Sequence, residues 1–163
     1  MRLMASVSIE DQAQHAIWEA DFAELERCVQ GALAETIAVD CIGFTADNCY
    51  ERRTDKSRAA SIGCSAYERD FWKLAYTRRL GRTVGALSGI TPTDFLFWKT
   101  RKDDAKIFME NEVLWRRSME AECEFYQHQN GSMAGGFRNL HCQMTKYANR
   151  IKYLNGLGSL GKR

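Results

Sequence analysis

The stretch Leu140-His141-Cys142-Gln143-Met144-Thr145-Lys146-Tyr147-Ala148-Asn149-Arg150-Ile151-Lys152-Tyr153-Leu154 puts Leu140, Met144, Tyr147, Ile151 and Leu154 at steps of four, three, four and three. That is the period of an α-helix with one apolar face, because 3.6 residues complete each turn. Strict alternation, the mark of a half-buried strand, is absent.

The same period recurs towards the N-terminus. Trp18, Phe22, Leu25, Val29 and Leu33 step by four, three, four and four, behind Ser8 and Asp11 as a capping box and with Gly31 as a stop signal. Glu19, Asp21, Glu24, Glu26 and Arg27 occupy the other side, which predicts a helix that buries its aromatic stripe and exposes acid. Ser65 with Glu68 three residues on marks a second start, with Tyr67, Phe71, Leu74 and Ala75 on the apolar side and an end near Gly81. Thr91-Pro92-Thr93-Asp94 combines a threonine cap with proline at the first helical position. From Ala105 onward Phe108, Trp115, Met119 and Tyr126 form one stripe flanked by Leu114, Ala121 and Phe125, and Asp103 or Asp104 can cap a separate helix there.

Residues 45 to 62 lose the apolar pattern and read as a polar connection or a weak helix, and residues 36 to 46 read equally as helix or as one small strand pair. Asn130 to Gly136 holds three glycines in seven residues and predicts a loop. The fold class expected is therefore mainly α: one domain over residues 1 to 163, an irregular bundle of four to six helices, with a glycine-rich loop at 130 to 136 and a basic C-terminal helix and tail at 137 to 163.

With 45% hydrophobic and 27% charged residues, the composition is that of a folding chain and not of a disordered one. No apolar run has the length of a secretory leader or a membrane span, so an intracellular, cytoplasmic location and no membrane partner are expected. On that expectation the six cysteines, Cys28, Cys41, Cys49, Cys64, Cys123 and Cys142, irregularly spaced and without a CxxC pair, are read as free thiols.

The net charge of +2 hides an asymmetry: residues 1 to 47 hold nine acids against two bases, and residues 130 to 163 hold six bases and no acid. Arg138, Lys146, Arg150 and Lys152, interleaved with Tyr147 and Tyr153, are candidate contacts to a phosphate backbone or to an acidic protein, and Arg78, Arg79 and Arg82 form a second basic set. A sequence pI of about 8.2 is lower than a dedicated nucleic-acid binder shows.

Catalytic signatures are weak. Gly156 to Gly161 spells a dinucleotide fingerprint, yet neither a following helix nor an acid about twenty residues on accompanies it. Cys123, His128, His141 and Cys142 are metal-ligand types, but Cys123 and His128 point about 140° apart on a helix. These residues are read as buried thiols and surface histidines, with no cofactor and no metal expected. The leading expectation is a non-enzymatic binding or assembly protein that engages another protein, or a second copy of itself, through helical surfaces. A nucleic-acid-binding accessory protein using the basic C-terminal segment is the alternative, and a small enzyme without an assignable residue set comes third.

Overall fold

Among the described residues, the amphipathic stripes become five packed helices. The computed structural model describes residues 9–32, 38–89, 102–129 and 132–160. In chain order these are α1 (Ile9–Ala32), a 3-10 turn (Ala38–Cys41), α2 (Phe44–Arg52), α3 (Arg58–Gly89), α4 (Lys102–Gln129) and α5 (Ser132–Leu160). No helix of the described residues is long and apolar enough to cross a membrane.

The decisive stretch behaves as its period dictates: Met144, Tyr147, Ala148, Ile151 and Leu154 of α5 are buried. They meet Phe71, Trp72, Ala75, Tyr76 and Leu80 of α3, with Phe22, Leu25 and Val29 of α1 and Met119 and Cys123 of α4 completing one continuous core. Named contacts set the directions. Arg69 reaches Gln143 at 3.4 Å and the Tyr76 and Tyr147 rings lie 5.4 Å apart, so α3 and α5 run the same way. Cys123 joins Cys142 and Glu112 meets Arg150, so α4 runs antiparallel to α5.

Several local expectations are corrected. α3 begins at Arg58, where Ser57 Oγ accepts from the Ala60 N–H at 3.2 Å, and Ser65 lies inside the helix with its hydroxyl donating to the Ser61 carbonyl. Glu68 therefore caps nothing in its own helix. α3 also passes Gly81, because Leu80, Thr83 and Val84 continue its packed face as far as Gly89. Between residues 38 and 46 the chain forms a 3-10 turn and the start of α2, and no strand occurs among the described residues. On α4 the buried row is narrower than the stripe expected: Leu114 and Phe125 are exposed, and Glu112 is fully buried in line with Met119 and Cys123. The proline-marked start at Thr91 lies outside the described residues.

The cysteine reading is overturned. Cys28–Cys41 ties α1 to the 3-10 turn, Cys49–Cys64 ties α2 to α3, and Cys123–Cys142 ties α4 to α5, with Cα separations of 6.0, 5.5 and 5.5 Å. No cysteine is left free. An expected reducing compartment and irregular spacing without a CxxC pair both pointed to free thiols, but spacing along the chain does not reveal which cysteines adjacent helices bring together. The metal set dissolves with it, since both of its sulfurs share one covalent bond, and no cluster of metal-ligating side chains stands among the described residues.

Glycine does different work from the loop expected of it. Met133, Ala134, Gly135 and Gly136 lie in the first turns of α5. A Cβ on Gly135 would stand 2.4 Å from the Gln127 carbonyl oxygen of α4, whereas one on Gly136 would meet nothing within 4 Å. Gly135 thus lets the start of α5 lie directly against the end of α4. Gly135→Ala is expected to cost about 1–3 kcal/mol through overpacking, and Gly136→Ala to be neutral or slightly stabilising because alanine is the better helix former. Urea midpoints of the two variants check this, and equal shifts would contradict the close approach.

Candidate functional site

Two fully buried carboxylates organise the interior. Glu68 of α3 accepts hydrogen bonds from the backbone N–H groups of Gly43 at 2.8 Å and Ala46 at 2.7 Å, and from Trp72 Nε1 at 3.0 Å. The N-cap of α2 is Gly43, whose φ of 102° suits glycine and whose missing side chain leaves the capping to a residue 25 positions away. Glu112 of α4 accepts from the Tyr76 hydroxyl at 2.9 Å and from Arg150, whose guanidinium lies over the rings of Trp115 and Tyr153 at 5.0 and 4.4 Å.

A third buried acid, Asp21 of α1, pairs with Arg52 of α2 and accepts from the Tyr67 hydroxyl at 3.2 Å. Burial, followed by the charge and hydrogen bond of Asp21, pushes the Tyr67 hydroxyl up to about 12. Burial likewise raises Tyr76, helped by its bond to Glu112, and raises Tyr147. All three phenols are neutral at physiological pH, and those of Tyr67 and Tyr76 hold the carboxylates of Asp21 and Glu112 as donors.

Above this interior lies a cleft of about 810 Å³, bounded by α2, the first turns of α3, the end of α4 and the first half of α5. Its lining is mostly apolar: Ile42 and Ala46 on one side, Phe137, Cys142 and Met144 on the other, and Tyr126 from α4. Polar groups converge on it from opposite walls, with Asp47 on α2 and Arg138, His141 and Lys146 on α5. Lys146 is paired with Glu122 at 2.8 Å, whereas Arg138 is exposed and has no ion-pair partner among the described residues. Thr145 also lines the cleft, and its hydroxyl is buried without a hydrogen-bond partner.

Both walls are fixed. Cys49–Cys64 locks α2 to α3 and Cys123–Cys142 locks α4 to α5. Glu68 holds Gly43 and Ala46, which both line the opening. A cavity of this size with apolar walls and a few convergent polar groups is the usual form of a binding site.

No family model, curated protein or solved structure matches this chain.

The seven basic candidates separate. Arg79 is buried against Glu26 at 2.9 Å, Arg150 is taken by Glu112 and Lys146 by Glu122, while Arg78 lies over the Phe22 ring at 4.4 Å. Arg138, Lys152 and Arg82 are exposed without ion-pair partners among the described residues. Arg82 lies thirteen residues beyond Arg69 and Arg138 five before Gln143. At about 1.5 Å per residue the two stand roughly 27 Å apart along the bundle. Arg138 and Arg82 thus stand at opposite ends, whereas Arg150 and Lys152, seven and nine residues beyond Gln143, lie level along the bundle with Arg78 and Arg79, nine and ten beyond Arg69.

Of the residues that build the site, Glu68 and Glu112 were missed by sequence reasoning. The signal was present: Glu68 falls in the row Cys64, Glu68, Phe71, Ala75, and Glu112 in the row Phe108, Glu112, Trp115, Met119. An acid on an otherwise apolar helical row is a buried acceptor looking for donors.

Proposed function

We propose that this is a non-catalytic binding protein that receives an apolar side chain of a protein partner in the cleft between α2 and α5. The observation that carries the reading is the cleft itself: apolar walls clamped by two disulfides, with an exposed cation at Arg138 that has no ion-pair partner among the described residues and a carboxylate at Asp47. Rigid walls reduce the ordering cost of binding, and a desolvated apolar anchor supplies most of the affinity. The charges on opposite walls select a segment whose anchor has an acid on the α5 side and a base on the α2 side.

Catalysis is disfavoured on specific grounds. All six sulfurs are bonded in pairs, so no thiol is available as a nucleophile. Glu68 and Glu112 are spent on buried donors. The nucleic-acid reading retains Arg138 and Lys152 on α5, but Arg79, Lys146 and Arg150 are engaged internally. Three disulfides also favour an oxidising working compartment over the reducing cytoplasm first expected, since such bonds persist where thiols are not kept reduced.

Selection of displayed peptides on the oxidised full chain tests the reading, with labelled single-stranded RNA run alongside at low salt. The expected result is enrichment of peptides with a Phe, Leu or Met beside an acid, binding about tenfold more weakly to Arg138→Glu, and no saturable RNA binding. Absence of enrichment, or binding indifferent to Arg138→Glu, would overturn it. Saturable, salt-sensitive RNA binding would transfer the assignment to the nucleic-acid alternative.

A further inference from the structure

The outward face of α4, away from the cleft, carries a row that no other described element covers. Ile107, Asn111, Leu114, Ser118, Ala121 and Phe125 are spaced four, three, four, three and four apart, and all are exposed. Ile107, Leu114 and Phe125 are exposed to 49%, 61% and 57%, unusual for large apolar side chains in one line. This is the a/d spacing of a helix–helix seam, running about 27 Å along the helix.

We infer that this row is a self-association surface, on which α4 packs antiparallel against α4 of a second copy. The charges beside the row select the occupant and its orientation. Arg117 and Glu124 lie on the same edge, one heptad apart; Arg117 is exposed without an ion-pair partner among the described residues, and the Glu124 side chain is 67% exposed, touching only His128 at 3.7 Å. In an antiparallel pair, equivalent edges face each other. With the two-fold axis between Ser118 and Ala121, Arg117 of each chain meets Glu124 of the other, twice per dimer. The same register sets Leu114 against Phe125 of the opposite copy on both sides of a centre made of the small Ser118 and Ala121, where the backbones can approach closely.

Sliding the partner by one heptad, which moves the axis half a heptad towards the N-terminus, would bring Arg117 against Arg117 and Glu110 against Glu124, which is repulsive. Moving the axis a whole heptad pairs Arg117 with Glu110 but sets Leu114 against Asn111 and Ile107 against Ser118, leaving the large apolar side chains unpaired. A parallel pair would instead rely on Glu122, whose carboxylate already holds Lys146 at 2.8 Å. One arrangement therefore satisfies both the shape and the charge of the row, and it needs only a second copy of this chain. The contact is of the small, reversible class, with Leu114 and Phe125 as its anchors.

Sedimentation velocity of the oxidised full chain, from micromolar to about 1 mM, reads this directly, with circular dichroism confirming that each variant keeps its helices. The expected result is a concentration-dependent dimer that Leu114→Glu abolishes. Arg117→Glu and Glu124→Arg should each weaken it about tenfold, and the double variant, which restores opposite charges across the axis, should recover the wild-type dissociation constant. A wild-type chain that stays monomeric, whether because the row stays in water or because residues 90–101 of the same chain cover it, would overturn the inference. So would a dimer indifferent to Leu114→Glu, or charge variants that the double substitution fails to rescue. The cleft plays no part in this assay, so either proposal can fail alone.

Discussion

Reducing the three disulfides is expected to unfold the protein at physiological temperature. The bridges close sequence separations of 13, 15 and 19 residues, and loops of this length are each worth about 3 kcal/mol by chain entropy. Three such contributions, about 9 kcal/mol, rival the whole stability of an ordinary domain, about 5–15 kcal/mol. The consequence is sharpest for α2. It has nine residues, fewer than the roughly 12 at which an isolated helix becomes even marginal, and it owes its place to Cys49, to the Glu68 cap and to the Arg52–Asp21 pair. Far-ultraviolet circular dichroism with and without a phosphine reductant measures the effect. A midpoint lowered by only a few degrees would mean that the core alone carries the fold.

The second large effect is expected at Glu68. Glu68→Ala leaves three donors, Gly43 N–H, Ala46 N–H and Trp72 Nε1–H, facing a dry cavity, and removing the acceptor from such a buried set costs about 3–5 kcal/mol. Glu68→Gln keeps the volume but aims an amide N–H₂ at groups that are themselves donors, so it recovers only part of the loss. Glu51→Ser is the control. Its carboxylate is 80% exposed and pairs only with Lys56, a contact of the kind worth about 0–1 kcal/mol. Urea denaturation of the three variants should separate them in the order Glu68→Ala, Glu68→Gln, Glu51→Ser. Glu68 also positions one wall of the cleft, so Glu68→Gln should weaken ligand binding even where the protein remains folded. A Glu68→Ala protein as stable as wild type would remove Glu68 from the account of α2.

How much of this was legible in the sequence depended on the range of the interaction. The stripes of α1 and α5 are local, and Phe22, Leu25, Val29, Met144, Tyr147, Ile151 and Leu154 are buried where their period puts them. Long-range partners are not local, and that is where reading failed. Ser65 and Glu68 had the spacing of a capping box, yet Glu68 is used 25 residues away. The glycines after Asn130 looked like a loop because their conformational freedom is visible in sequence and the nearness of Gln127 is not. Asp21 lies on the side of α1 whose composition predicts exposed acid, and only the arrival of Arg52 and Tyr67 makes its burial possible, as Arg79 does for Glu26.

The candidate site was legible in its charges and not in its shape. Arg138 and Lys146 do border the cleft, but sequence offered no way to separate the exposed Arg138 from Arg79 and Arg150, which are consumed by Glu26 and Glu112. The cysteines show the same limit. Their number was plain, their pairing depends on which helices meet, and the pairing is what makes the cleft rigid.

Everything proposed for the cleft rests on walls that are covalently stapled, so the most direct measurement is peptide mapping of the unreduced protein by mass spectrometry after blocking any free thiols. Three linked peptide pairs, Cys28 with Cys41, Cys49 with Cys64 and Cys123 with Cys142, and no blocked thiol are the predicted result. Blocked thiols at Cys49, Cys64, Cys123 or Cys142, or a different pairing among them, would contradict a preformed cleft and the binding function built on it.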